Sequence, residues 1–258
     1  AYYKSGELDS ALSALEKSDE LESDSPETEL YLSRLYQLQE ENDKALRHAK
    51  TALELSLKRL AESQQEMQGQ IQTEGMYSLL GRESSGEDAE KLNKLSEETF
   101  DWFTSTFNES NVKPLLRRVL EEYPLSAKLY AMSGAYYKEN GDNGEALDLL
   151  VEAVRLAPSL AEAQLLLGEL HFEAGNSSEA ILSYRRALSL SPDMAEPYRA
   201  MIKLYREDDD LDTLCERWLA MYRAAPHNEV LRSHLIEALH KAGRIKEATE
   251  IVQNHKTE

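Results

Sequence analysis

Residues 127–160 read AKLYAMSGAYYKENGDNGEALDLLVEAVRLAPSL, and residues 161–194 read AEAQLLLGELHFEAGNSSEAILSYRRALSLSPDM. Laid over one another, they agree at spaced positions. Gly134 and Gly168 share the eighth place, Gly141 and Gly175 the fifteenth, and Ala146 and Ala180 the twentieth. Ala153 and Ala187 share the twenty-seventh, and Pro158 and Pro192 the thirty-second. Pro124, Pro158, Pro192 and Pro226 stand 34 residues apart. Self-similarity at this period predicts a stack of helix–turn–helix units, each too small to bury its own apolar face. Small residues at 8 and 20 let two helices approach closely. The large residue at 24, Leu150 or Tyr184, fills the space beside them. Glycine at 15 ends the first helix in the left-handed region, and Asp142-Asn143 and Asn176-Ser177 supply the turn and N-cap of the second. Proline at 32 stops that helix.

The register extends both ways. Residues 195–228 carry Tyr205 at 11, Leu214 at 20, Trp218 at 24 and Met221 at 27, so small residues have become large and looser or re-angled packing is expected there. Residues 229–258 form a terminal partial repeat with Leu235, Gly243 and Ala248 in phase. Upstream, 93–126 is a degenerate unit held by Phe103, Val112, Leu116, Val119 and Pro124. Residues 26–59 restore the pattern with Leu32, Tyr36, Ala45 and Ala52, and 1–25 is a partial repeat with Gly6 at 15 and Ala11 at 20. The expectation is one continuous array over 1–258 that begins inside a repeat of something longer.

The pattern resembles the tetratricopeptide repeat, whose signature has the same 34-residue period. The likeness is specific over 127–194 and rests on phase more than identity over 93–126. It implies an all-α fold, a right-handed superhelical solenoid of antiparallel helix pairs. It also implies a role in binding proteins.

Between Ala52 and the 93–126 unit the rhythm breaks. Leu46, Ala49, Leu53, Leu57, Leu60, Met67 and Ile71 recur at helical spacing, so the helix is expected to run from about 43 past Leu60. A glycine-punctuated stretch follows, with the apolar cluster Met76, Tyr77, Leu79 and Leu80 inside it. Residues 73–87 are expected to be the most mobile of the chain. Asp88 or Glu90 then opens a second long helix. The insertion at 60–92 reads as an extended helical hairpin whose two stripes cover each other.

The 258 residues hold 48 acidic and 29 basic side chains, a net charge of −19. That exceeds the roughly 2–8 units common in small domains. It argues against nucleic acid and anionic membrane as partners. Cys215 is the one cysteine, so no intrachain disulfide or thiolate cluster can form. A cytoplasmic location fits, and a disulfide-free periplasmic protein would look the same. No run of 18 apolar residues spans a bilayer. The six histidines form no HExxH motif, no GxSxG elbow occurs, and the carboxylate pairs suit solvated helix faces. No metal, cofactor or enzymatic activity is expected.

What remains is surface. The resemblance assigns a concave groove to positions 2, 5, 9, 12 and 13 of each first helix. Two sets of residues there stand out. Leu165 and Phe172 lie seven apart, an apolar anchor unless Phe172 turns inward, His171 standing where a core tyrosine is usual. Arg199, Lys203 and Arg206 make a basic stripe that either pairs with Glu169 and Glu237 in flanking repeats or clamps a carboxylate-bearing peptide. His240 and Lys241 complete the candidate groove. Co-chaperone and sugar-transferase signatures do not carry over, because Ala131, Ala135, Met132, Leu166, Ala200 and His234 replace the required residues. The expected function is a protein-interaction scaffold that holds a peptide or protein segment. The alternatives are a targeting region of a larger enzyme or secretion machine, and a scaffold that self-associates into homo-oligomers through its terminal repeats.

Overall fold

The computed structural model describes residues 8–21, 25–74 and 84–254. Among the described residues there are thirteen helices and no strand. In chain order they are α1 (Leu8–Leu21), α2 (Pro26–Leu38), α3 (Asn42–Glu74), α4 (Ser84–Thr106), α5 (Glu109–Glu122), α6 (Ala127–Glu139) and α7 (Asn143–Leu156). Then come α8 (Ala161–Glu173), α9 (Ser177–Leu190), α10 (Ala195–Glu207), α11 (Leu211–Ala224), α12 (Glu229–Lys241) and α13 (Ile245–Asn254). The fold is an all-helical solenoid of helix pairs. It divides into two compact units, Ala1–Met132 and Ser133–Glu258, the boundary falling inside α6.

The repeat register is written into the backbone. The described residues with positive φ are Glu40, Gly141, Gly175, Asp209 and Gly243, and all five are position 15 of a repeat. Each is followed by the same capping bond, from the position-16 amide to the position-11 carbonyl. Glu41, Asp142, Asn176, Asp210 and Arg244 donate to Tyr36, His171 and their equivalents at 2.8–2.9 Å. This six-to-one bond across a left-handed residue satisfies a carbonyl that the helix end leaves open. At the other end of the repeat, the amide of Ala157, Ser191 or Ala225 still donates to position 27. The proline that follows has no amide to continue the ladder. Asp142 and Asn176 do occupy N-caps, but neither side chain makes a capping hydrogen bond. Their backbone carbonyls accept from Ala146 and Ala180 instead.

In the second unit, position 8 meets positions 20 and 24 as the pattern predicts. A Cβ on Gly134 would lie 2.7 Å from Leu150 Cγ and 3.4 Å from the Ala146 carbonyl, and one on Gly168 would lie 2.5 Å from the Tyr184 ring. The 195–228 repeat solves the same problem with bulk. Ile202, Leu214 and Trp218 are all buried, and α10 and α11 lie further apart than α8 and α9. Ala153 and Ala187 are buried at position 27, whereas Met221 at that place is exposed. Tyr198 anchors this core by an edge contact to Trp218 (5.1 Å) and a stack on His234 (5.3 Å). Its hydroxyl donates to the Pro192 carbonyl at 3.0 Å.

The first unit repeats the contact with a polar variant: Ser33 Oγ at position 8 donates to the Ala45 carbonyl at position 20, 2.9 Å away. The insertion is a helical hairpin. α3 runs unbroken past the end of its repeat to Glu74, and α4 returns along it. Leu57, Leu60, Ala61 and Phe100 are buried, and Ser96 Oγ reaches the Ser56 carbonyl at 3.2 Å. The return helix begins at Ser84 rather than at Asp88 or Glu90. Two serines followed by acidic residues suit a helix's first turn. Most of the 73–87 stretch, with the Met76–Leu80 cluster, lies outside the described residues.

Candidate functional site

The first helices α8, α10 and α12 of the second unit carry the expected groove residues. Leu167, Leu170, Tyr198, Met201, Ile202, Tyr205, Leu235 and Leu239 turn into the core. The remaining faces are left for other work. Leu165 and Phe172 are half-buried and both rest against the core cluster. Phe172 keeps a second contact, for Lys203 Nζ stands 4.6 Å from its ring centroid. The ring therefore leans on the core while supporting a cation from the next repeat.

The charges do not form the ladder that the spacing allows. Arg199 pairs with Glu196 on its own helix at 2.8 Å, and Lys241 with Glu237 at 2.6 Å. Glu169 faces back to α6, where Lys138 Nζ lies 3.0 Å from it and 3.3 Å from Glu173. Burial alone would lower the Lys138 ammonium, but hydrogen bonds and charge from the two glutamates outweigh it and hold its pKa above the usual lysine value. The side chains of Arg206 and His240 are exposed and make no ion pair or hydrogen bond among the described residues. The structure thus joins Phe172 to Lys203 and fixes Glu169 elsewhere. Among the described residues it leaves the basic stripe without an acidic partner in the flanking repeats.

Sequence position did not foresee the pairing of Lys138 with Glu169 and Glu173. All three fall on expected groove positions, and a lysine facing two glutamates one repeat away was the available signal.

Among the described residues no group of three or more His, Cys, Asp or Glu is placed to hold a metal ion. No described helix is long and apolar enough to cross a membrane. Cys215 is buried, and burial pushes its thiol up to about 11, which leaves it a poor nucleophile.

Residues 132–195 match the family model described as tetratricopeptide repeat. That segment of the chain carries tetratricopeptide repeats. No curated protein matches it. Similar solved structures include one of MamA, at 21% identity, covering 62% of this chain and 83% of that one with a TM-score of 0.42. A second MamA structure covers 100% of this chain and 95% of that one at 16% identity and a TM-score of 0.36. YrrB, described as a TPR protein with an unusual peptide-binding site, is 17% identical and covers 78% of this chain and 86% of that one, with a TM-score of 0.43. The matched segment holds nearly all of the two repeats whose glycines meet Leu150 and Tyr184. It stops at the start of α10, before the basic stripe.

Proposed function

We propose that the chain is a protein-interaction scaffold that holds a peptide or protein segment on the first helices of residues 161–241. The observation that carries this reading is the pair formed by Phe172 and Lys203. A half-buried aromatic ring backed by the core is a rigid anchor, and such anchors dominate binding energy at interfaces. Lys203, with Arg199 and Arg206 on the same face, supplies cationic groups beside it. The chemistry suits a short segment with one large apolar side chain and a nearby carboxylate. The segment's carboxylate would draw Lys203 off the ring, and its apolar side chain would take the ammonium's place. Glu162, Glu169, Glu173, Glu196 and Glu237 around the site disfavour a ligand acidic throughout and steer in one with flanking basic residues.

The test is selection of a displayed peptide library on the wild-type chain, with the variant Phe172→Ala, Arg199→Glu, Lys203→Glu as counter-selection. Phe172→Ala alone is expected to weaken the selected peptides by about 2 kcal/mol, roughly 30-fold. The two charge reversals should weaken binding further and flatten its salt dependence. Glu152→Ala, on a second helix, should change nothing. Equal recovery of peptides by wild type and triple variant places binding elsewhere and refutes the proposal.

A further inference from the structure

A different surface, in the first unit, has interface chemistry that the repeat pattern does not require. On α2, Tyr31, Arg34 and Leu38 follow one another at intervals of three and four, on one helical face. Tyr31 is 48% exposed and Leu38 55%, although neighbouring Leu30, Leu32 and Leu35 are buried. Across from them stands α4. Trp102 donates its indole N–H to Ser33 Oγ at 3.1 Å, which fixes the ring. Arg34 lies 6.0 Å from the Tyr31 ring centroid and 5.3 Å from that of Trp102. Its guanidinium is neutralised by Glu98 at 2.9 Å. Tyrosine, tryptophan and arginine are the residues most enriched at binding hot spots. Here they are held together before any partner arrives, so little side-chain freedom is left to lose.

The charge beside this platform is negative and only partly answered. Glu97, Glu98 and Asp101 share α4 with Trp102, and helical spacing sets Glu98, Asp101 and Trp102 on one face. Glu98 is taken by Arg34, and Glu97 by Lys128 at 2.8 Å. Asp101 makes no ion pair among the described residues. Burial and the charge of Glu97 together raise its carboxyl above the ordinary value, which is the signature of an anion with no cation to balance it.

We propose that Tyr31, Arg34, Leu38 and Trp102 form a second docking surface, whose occupant is a segment of another protein that sets a lysine or arginine beside a large apolar side chain. The apolar group covers Tyr31 and Leu38, and the cation pairs with Asp101. This surface is independent of the groove in the second unit, and the failure of either reading leaves the other standing.

Trp102 and Trp218 are the chain's two tryptophans, and Trp218 is buried in the other unit. Labelling the full chain with 5-fluorotryptophan therefore gives two fluorine signals, one at the surface and one as an internal control. The probes are three short tryptophan-free synthetic peptides: lysine and arginine flanking Leu-Phe, the same peptide with both apolar residues replaced by alanine, and the Leu-Phe peptide flanked by glutamate. The first should shift the Trp102 signal saturably and leave Trp218 in place. Asp101→Asn and Tyr31→Ala should each weaken that response about tenfold or more. Circular dichroism checks that the variants fold, and if Tyr31→Ala does not, Asp101→Asn alone decides. The proposal is overturned if Trp102 does not respond to the first peptide at millimolar concentration. An equal response to the alanine peptide overturns it too, since that is attraction to net charge only. So does a stronger response to the glutamate peptide, or a Trp102 signal that moves with protein concentration alone, which would make a second copy of the chain the occupant.

Discussion

Gly168→Ala tests the central contact of the array, because two effects of opposite sign act at one atom. Gly168 lies inside α8, where alanine is favoured over glycine by about 1 kcal/mol. The added Cβ, however, would stand 2.5 Å from Tyr184 Cε1, 2.6 Å from Cδ1 and 3.1 Å from Cζ. Tyr184 is fully buried, so its ring has no free volume to move into. The helices of the pair must separate or the ring must leave its rotamer, and overpacking of this kind costs about 1–3 kcal/mol. With three ring atoms inside van der Waals contact the cost belongs at the upper end, so a net destabilisation of about 1–2 kcal/mol is expected. The assay is urea unfolding followed by circular dichroism, with the midpoint compared between variants of similar slope. The same substitution in a Tyr184→Ala background removes every side-chain atom beyond Cβ at that position and leaves the propensity term. There Gly168→Ala should be neutral or stabilising by up to about 1 kcal/mol. A reversal of sign between the two backgrounds is the outcome the contact requires. Equal destabilisation in both, or a stabilising effect in the wild type, refutes the helix approach at Gly168.

Two further outcomes follow from the backbone and the buried thiol. Glu40 and Asp209 hold φ of 61° and 54° at the position where the other repeats have glycine, so Glu40→Gly and Asp209→Gly should each raise stability by about 0.5–1 kcal/mol, the glutamate site gaining more because aspartate tolerates this region better; unfolding midpoints that fall instead count against the strain. Cys215 should resist a disulfide-exchange reagent in the native chain and react at the rate of unfolding. Its folded pKa, pushed by burial from 9.0 to about 11, keeps the proton that the unfolded thiol gives up. The stability advantage of wild type over Cys215→Ala should therefore be complete below pH 9 and shrink as the pH rises towards 11. An advantage that grows over that range contradicts the assignment.

The fold was legible because the repeat makes every local signal redundant. Gly141, Gly175 and Gly243 mark the left-handed position directly. Glu40 and Asp209 occupy it without glycine, and phase identifies them where residue type does not. The helix over 42–74 was legible from an apolar stripe with no proline to interrupt it. Its partner's start was misplaced by a few residues because serine and acid suit both a loop and a first turn. The substitution of bulk for closeness in the 195–228 repeat was readable only in outline. Leu214 and Trp218 announced it, but that Met221 would be the residue turned out depends on how far α10 and α11 stand apart. That distance is a property of packing, not of any one position.

The candidate sites were less legible, for a related reason. A groove position fixes which face a side chain leaves from, not which neighbour it chooses. Glu169 had a basic stripe on one side and Lys138 on the other, and its position alone did not decide between them. In the structure, Lys138 gathers Glu169 and Glu173 together. Lys203 goes to the face of Phe172 instead of to a glutamate. An exposed ion pair contributes about 0–1 kcal/mol, and a cation over an aromatic face at an exposed site a similar amount. Differences this small are settled by rotamer and reach. The platform around Arg34 shows the same limit at longer range. Tyr31 and Trp102 are 71 residues apart in sequence, on opposite sides of an insertion that breaks the 34-residue phase. The repeat register that makes neighbours predictable elsewhere gives no guidance across that break. Only the return of α4 along α3 brings the two rings to one arginine. The insertion that disturbs the array is therefore also what builds its least repeat-like surface.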